Sequence, residues 1–313
     1  SRAGGRTAKE NAEICIMMFD AIVVGGSYAG QSAALQLARA RRSILVIDGG
    51  NRRNRFAEAS HGFLTQDGRS PGAIAAASRA QLMAYPTVEW IDGEVRSASR
   101  TDDGFEVTTT GDARYQGRRM VLATGVVDRL PAIPGLVERW GRSIFHCPYC
   151  HGYELNRGRI GVLAVSPLSM HHALLVPEWG PTTFFTNGVF VPDDEQQAQL
   201  DRRGVMVERT PIDRIDGEGA DVVLKDGRVV SLAGLFTMTE VEMGCPLATQ
   251  LGCNFGQGPV GPFIETNEFK ETSVAGAFAC GDAARTFGSV AMAVGAGAFA
   301  GVSTHQSLVF RDS

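Results

Sequence analysis

The sequence predicts an α/β fold divided into two domains, and three observations support this prediction. First, 313 residues are enough for two compact domains, each with its own core. Second, 44% hydrophobic and 20% charged residues are typical of a globular protein. Third, short apolar runs of strand length are followed by segments with helical spacing, and the 38 glycines indicate places where the backbone approaches a ligand.

The first structural unit begins at Phe19, after residues 1–18, which we interpret as an extension without a role in the fold. The apolar run "FDAIVV" suits a strand buried on both faces, and it is followed by the turn "GGSYAG", a helical pattern and the strand "SILVID". In a Rossmann-like unit of this order, glycines let the backbone approach a pyrophosphate and the final acid accepts ribose hydroxyls. Ser27 replaces the usual second glycine but is small enough to be tolerated. We therefore predict a dinucleotide site that includes Gly25, Ser27, Gly30 and Asp48.

Two later segments repeat the pattern of a strand that ends at a glycine. "MVLATG" ends at Gly125, and "GAFACGDAAR" runs into Gly281 and Asp282. A helix rich in small residues, "SVAMAVGAGAFAGVSTHQSL", follows the second segment. Small residues allow this helix to lie close to a ligand or to another backbone.

The charge balance argues against two classes of partner. The formal net charge is −4 and arginines are interspersed with acids, so we expect no basic surface for nucleic acid or an anionic membrane. The run Arg52-Arg53-Asn54-Arg55 is too short to change this expectation. No apolar segment approaches the roughly 20 residues that span a bilayer. We expect a cytoplasmic protein without nucleic-acid or membrane partners.

The segment Cys147-Pro148-Tyr149-Cys150-His151 is compatible with three kinds of chemistry: a redox dithiol, half of a zinc site, or the attachment of a c-type haem. A structural zinc site needs four ligands, and no second suitably spaced pair is present. Haem gives no role to the dinucleotide unit, and its attachment takes place outside the cytoplasm. Two sulfurs at a helix start, with proline in the first turn, favour a dithiol whose thiolate pKa is lowered.

The dinucleotide unit, the "ATG" segment, Gly281-Asp282 and the cysteine pair together resemble the flavoprotein disulfide reductase superfamily, in particular low-molecular-weight thioredoxin reductases. The resemblance implies two dinucleotide-binding (Rossmann-like) domains, the second inserted into the first, and a homodimer. Residues 19–128 and 245–313 would form the FAD-binding domain, and residues 129–244 the inserted domain that carries the dithiol. The resemblance places these residues at FAD: Gly25, Ser27, Gly30, Asp48, His61, Val95, Thr124, Gly125, Gly281, Asp282, Val290 and Ala291.

The inserted domain departs from the family at its expected NADPH site. The segment "GRIGVLAVSPLSMHHALLV" keeps a strand and a helix, but Ala164, Ser166 and Pro167 stand where the family has a glycine pattern. The paired arginines that would bind a 2′-phosphate are also absent after the next strand. We therefore expect FAD but no NADPH, with electrons entering from thiols.

The segment "CPYCHGYE" resembles the active site of the dithiol oxidases that close the disulfides of gliotoxin, holomycin and romidepsin. This resemblance implies an FAD-dependent oxidase that forms an intramolecular disulfide in a small molecule or peptide and reduces O2 to H2O2. Cys150 would be the sulfur next to the flavin, Cys147 the outer sulfur and His151 the general base. We interpret His146 as a strand-end residue. The alternatives are a disulfide reductase fed by NADPH or another donor, and a non-catalytic flavin- or dithiol-binding or redox-sensing module.

Overall fold

The computed structural model describes residues 17–311 and consists of two α/β halves. The predicted extension lies outside this range except for its last two residues. Met18 already pairs with Gln116 in the first strand, which therefore begins one residue earlier than predicted. Among the described residues, no helix is both long and apolar enough to cross a membrane.

The elements follow in chain order and are numbered separately for helices and strands. The helices are α1 (Tyr28–Arg39), α2 (Pro71–Met83), α3 (Pro148–His151), α4 (Met170–Leu175), α5 (Asp194–Arg202), α6 (Leu247–Leu251) and α7 (Val290–Phe310). The strands are β1 (Met18–Val24), β2 (Ile44–Asp48), β3 (Val88–Asp92), β4 (Val95–Thr101), β5 (Gly104–Thr109), β6 (Arg114–Leu122), β7 (Val126–Arg129), β8 (Ile144–Phe145), β9 (Ile160–Leu163), β10 (Thr182–Phe185), β11 (Met206–Glu208), β12 (Ile212–Asp216), β13 (Asp221–Leu224), β14 (Val229–Val230), β15 (Gly234–Thr237), β16 (Glu240–Met243), β17 (Phe255–Gly258), β18 (Gly261–Ile264) and β19 (Ala277–Ala279).

The first half is built on a seven-stranded sheet in the order β3-β2-β1-β6-β5-β4, with β19 parallel to the end of β6. Its central strands are apolar because both of their faces are covered. Helix α7 lies directly against α1, since a Cβ at Gly297 would overlap the carbonyl oxygen of Ala29 and one at Gly301 would overlap that of Ala33. The small residues of the predicted helix therefore serve close helix packing, as expected.

The second half contains a parallel sheet in the order β11-β10-β9-β15-β8 and a small antiparallel sheet of β12, β13 and β14. The chain enters this half through β7 and leaves it through β16, and these two strands pair antiparallel. The predicted boundary after residue 128 lies within β7, and the one before residue 245 lies just after the end of β16. We refer to β7 and β16 as the hinge strands.

Candidate active site

A cavity of about 1370 Å³, measured with its open mouth, lies where the two halves meet. The first half contributes the glycine turn after β1, the end of β6 and the start of α7, and the second half contributes the segment from β8 to α3. The cavity thus brings together segments that are far apart in the sequence. Nine of the predicted cofactor residues line it: Gly25, Ser27, Asp48, His61, Thr124, Gly125, Gly281, Asp282 and Val290.

Three predicted cofactor residues do not line the cavity. Gly30 lies in α1, where a Cβ would overlap the carbonyl oxygen of Gly25, so this glycine lets the helix approach the turn. Ala291 follows Val290 at the start of α7. Val95 begins β4 and its side chain is buried in the hydrophobic core beneath the large sheet, so its contact with FAD stays a prediction. The sequence could not distinguish a cofactor contact of Val95 from burial in the core, because strand β4 begins at this residue in either case.

The turn after β1 fits the pyrophosphate and ribose of a dinucleotide. Gly25 has φ of +98°, a conformation that favours glycine. The Gly26 N–H donates to Oδ1 of Asp48 at 2.9 Å, so one carboxylate oxygen of the predicted ribose acceptor also holds the turn. Ser27 is the N-cap of α1, but its side chain makes no capping hydrogen bond. The amino end of this 12-residue helix can therefore receive an anion.

The corresponding turn of the second half is closed on itself. The N–H groups of Val165 and Ser166 both donate to Oγ of Ser169, at 3.0 and 3.5 Å. Ser166 and Ser169 form a capping box, and Pro167 has no N–H to donate. The donors that would hold a phosphate in such a turn are thus used within the chain.

The two cysteines of the predicted redox pair form a disulfide, with their Cα atoms 5.3 Å apart. Cys147 is the N-cap of α3 and Pro148 occupies its first position, as the sequence predicted. Helix α3 has only four residues, so the predicted dipole effect on the sulfurs comes from a single turn. Cys150 lines the cavity. Cys147 is half-buried and is not among the residues that line the cavity. Among residues 17–311, no group of three or more His, Cys, Asp or Glu side chains is arranged to hold a metal ion.

Two histidines lie beside the disulfide and line the cavity. The His151 ring stacks on Phe145, with centroids 4.2 Å apart. Burial, together with the neighbouring His146 and His61, lowers the pKa of His151 to about 4. Burial and the positive charge of Arg53 likewise lower the pKa of His146 to about 4. Both imidazoles are therefore neutral near pH 7, and each is a weaker base than a free imidazole.

His146 lines the cavity beside the disulfide, which the sequence did not indicate. It does follow the end of β8, as predicted, but its ring points to the same cavity as His151. His61 also lines this cavity, and its Nδ1 lies 3.4 Å from Oε1 of Glu154 on the segment after α3. The structure therefore gathers three histidines around the disulfide, and the strand-end position of His146 beside the cysteines was the available signal.

Arg53 is a site residue that sequence reasoning missed. Its Nε and Nη2 donate to the two carboxylate oxygens of Asp128 at 2.8 and 2.6 Å, and its Nη1 donates to Asp282 at 2.9 Å. Burial disfavours the charge of Arg53, but these ion pairs outweigh burial and raise the pKa of the guanidinium above its usual range. Burial also opposes the charge of Asp128, but Arg53 and Thr239 lower the pKa of this carboxyl. No local pattern in the basic run indicates which arginine makes these ion pairs.

The buried histidines predict a pH-dependent stability. Burial lowers the pKa of His146, His151 and His172 from 6.5 to about 4, so the unfolded chain binds these protons at a higher pH than the folded protein. The free energy of unfolding should therefore fall as pH decreases from about 6.5 to about 4. Chemical denaturation of the FAD-loaded protein at a series of pH values measures this slope. His172→Phe should reduce the slope more than His171→Phe does, because burial lowers the pKa of His172 most and the charge of exposed His171 contributes less; the opposite order would contradict the assignment.

Comparison with known proteins relates this chain to proteins that act on disulfides. The pyridine nucleotide-disulphide oxidoreductase family matches residues 19–165 and 193–297. Thioredoxin reductase tcpT of Claviceps purpurea is 34% identical over 298 residues, which cover 90% of this chain and 92% of the relative. Thioredoxin reductase sirT of Leptosphaeria maculans is 32% identical and covers 92% of this chain and 93% of its own.

Solved structures extend the similarity to the fold. An oxidoreductase from Agrobacterium tumefaciens is 55% identical with a TM-score of 0.91, over 94% of this chain and 99% of its own. HlmI is 35% identical with a TM-score of 0.88, over 94% of both chains. These findings confirm the predicted thioredoxin-reductase-like fold, and flavoproteins of the matched family bind FAD. The chain therefore belongs to the pyridine nucleotide-disulphide oxidoreductase family.

Proposed function

We propose that this flavoprotein oxidises a dithiol on a small molecule or peptide to its intramolecular disulfide, with FAD as cofactor and O2 as the acceptor that becomes H2O2. The observation that carries the proposal is the position of the cysteine pair. Cys150 and two neutral histidines face the cavity of the open glycine turn, while the second turn uses its own donors. This arrangement favours electron entry through sulfur.

The thiol chemistry follows from the positions of the two sulfurs. His151 takes the proton of a substrate thiol, and the thiolate attacks Sγ of Cys147, which breaks the Cys147–Cys150 bond and leaves Cys150 as a thiolate. The second substrate thiol, after losing its proton, then attacks the substrate sulfur of the mixed disulfide, which forms the intramolecular disulfide and releases Cys147 as a thiolate. The substrate loses two electrons and two protons, and the enzyme gains a reduced cysteine pair.

FAD, when bound, accepts the two electrons of the cysteine pair and passes them to the acceptor. The residues that fit it are the turn at Gly25, the amino end of α1 and the Gly281 segment. Asp48 lies at the edge of this turn, in the place of a ribose acceptor. The protein's task is then to hold Cys150 toward this cavity and to place the His151 imidazole beside it.

A disulfide reductase is the second candidate, and the names of the relatives favour it. Several relatives are called thioredoxin reductases, including one from Aspergillus oryzae that is 32% identical. A reductase would run the cysteine chemistry in the opposite direction and would need a hydride donor. The self-capped turn at Ser166 to Ser169 argues against a nucleotide in that role.

Anaerobic reduction distinguishes these candidates. We expect an excess of dithiothreitol to bleach the flavin absorbance of the FAD-loaded protein within seconds to minutes, whereas NADPH leaves it unchanged over the same period. Dithionite serves as the control that all bound flavin is reducible. On readmission of air, each disulfide formed should yield one H2O2. Bleaching by NADPH at a rate comparable with that of the dithiol would support the reductase instead.

A further inference from the structure

A segment of the first half reaches across to the second half on the cavity side. This segment, residues 53–61 between β2 and α2, is called the strap here. It contacts the hinge strands, the start of the inserted half and the segment after the cysteine pair. In the sequence, the second and third of these contacts flank the cysteine pair.

The first contact is the ion pair between the strap and the hinge. Arg53 binds both carboxylate oxygens of Asp128 on β7, and Thr239, just before β16, donates its hydroxyl to Oδ1 of Asp128 at 2.6 Å. Asp128 is largely buried, its side chain being 8% exposed, so removal of one partner would leave an unpaired charge in a poorly solvated position. The strap is thereby tied to both hinge strands.

The second and third contacts lie on either side of the cysteines. Gly141 has φ of +76°, and a Cβ there would come within 2.7 Å of Cβ of Phe56, so the strap lies directly on this turn of the inserted half. His61 lies 3.4 Å from Glu154, four residues after Cys150. The strap therefore contacts the inserted half before and after the disulfide.

We propose that the strap keeps the cysteine pair docked at the cavity throughout turnover, so that the enzyme accepts only dithiols small enough to reach Cys147 in this closed arrangement. The inference rests on the proposed dithiol oxidation. Two paired strands alone would form a hinge about which the inserted half could rotate. Two contacts of the strap, at Gly141 and Glu154, reach the inserted half itself, and rotation of that half would break both of them. A folded protein dithiol could not approach the half-buried Cys147 without such a rotation.

A distance measurement tests the docking directly. Spin labels are attached through unnatural amino acids, not thiols, at exposed Asp102 in the first half and exposed Arg202 in the second. The FAD-loaded protein should show one distance distribution when oxidised, when reduced by dithionite and during dithiol turnover. A second population displaced by more than about 10 Å in any state, the scale of a domain rotation, would overturn the proposal.

Two variants show whether the strap itself is responsible. Gly141→Val forces a side chain against Phe56 and should broaden the distribution. Glu154→Ala removes the third contact at a surface position and should broaden it to a smaller extent. Narrow, unchanged distributions in these variants would assign the docking to the hinge strands alone and contradict the role of the strap.

The size limit has its own test. Anaerobic flavin reduction by dithiothreitol is compared with reduction by a fully reduced thioredoxin, a folded protein dithiol. We expect the protein dithiol to react at least about 100-fold more slowly, because thiol exchange depends on access to the attacked sulfur. Equal rates would overturn the strap inference and leave dithiol oxidation intact, whereas no reaction with either dithiol would contradict the proposed function itself.

Discussion

Cys150→Ser is expected to lower dithiol-dependent flavin reduction by at least about 1,000-fold while FAD remains bound. Cys150 is the cysteine of the pair that lines the cavity, and its thiolate is the group that the proposed exchange releases toward the flavin. Serine keeps the size of the side chain but its hydroxyl is a far weaker nucleophile and cannot form the disulfide. The effect should therefore fall on the electron transfer and not on the fold.

Stopped-flow absorbance under anaerobic conditions measures this effect, and the flavin spectrum of the purified variant reports cofactor content. Cys253→Ser is a matched control, because Cys253 is a buried thiol in the core of the first half, and this variant should retain the wild-type rate. A Cys150→Ser rate above about a tenth of wild type would contradict the assignment of Cys150 as the inner sulfur.

Gly30→Ala is expected to remove most of the bound FAD, leaving less than about a tenth of the wild-type content. The added methyl group would overlap the carbonyl oxygen of Gly25, and the side chain of Val23 lies 3.2 Å from the same point. The turn and the amino end of α1 would have to separate. That movement displaces the backbone groups that fit a pyrophosphate.

Gly295→Ala provides the matched control, since it makes the same substitution within a helix. A Cβ at Gly295 meets nothing within 4 Å, so this variant should keep its FAD. Alanine is also the better helix former, by about 0.5–1 kcal/mol, so the free energy of unfolding should rise slightly. Flavin absorbance after purification and titration of the apoprotein with FAD compare the two variants. Full FAD content in Gly30→Ala would show that the turn does not bind the cofactor.

The parts of the fold that the sequence predicts well are those whose signals are local. Apolar runs and a glycine turn predict the unit from Phe19 to Asp48, and the structure confirms its strand, helix and strand. The Gly281 segment is also local, with φ of +70° at the glycine. The helix start at Pro148 follows from the residue's missing N–H. In each case short-range backbone sterics decide the conformation.

The rest of the site depends on contacts between distant parts of the chain. Arg53 and Asp128 are separated by 75 residues, and neither has a neighbour that marks it as buried. His146 reaches the cavity because it follows β8, which pairs with β15 as the edge strand of the parallel sheet. Val95 was assigned to the cofactor by resemblance alone, and its burial depends on how β4 lies over the core. Such placements follow from packing, which no local pattern determines.

The self-capped turn from Ser166 to Ser169 and the open turn at Gly25 differ in how much each depends on a bound cofactor. The amide groups of the self-capped turn are satisfied by the chain's own hydroxyls, so this turn needs no bound nucleotide to complete its hydrogen bonds. The glycine turn at Gly25 lacks such a cap, and a bound cofactor adds its binding free energy to the folded state. Bound FAD is therefore expected to stabilise the turn at Gly25, whereas the turn from Ser166 to Ser169 already has its hydrogen bonds without a nucleotide.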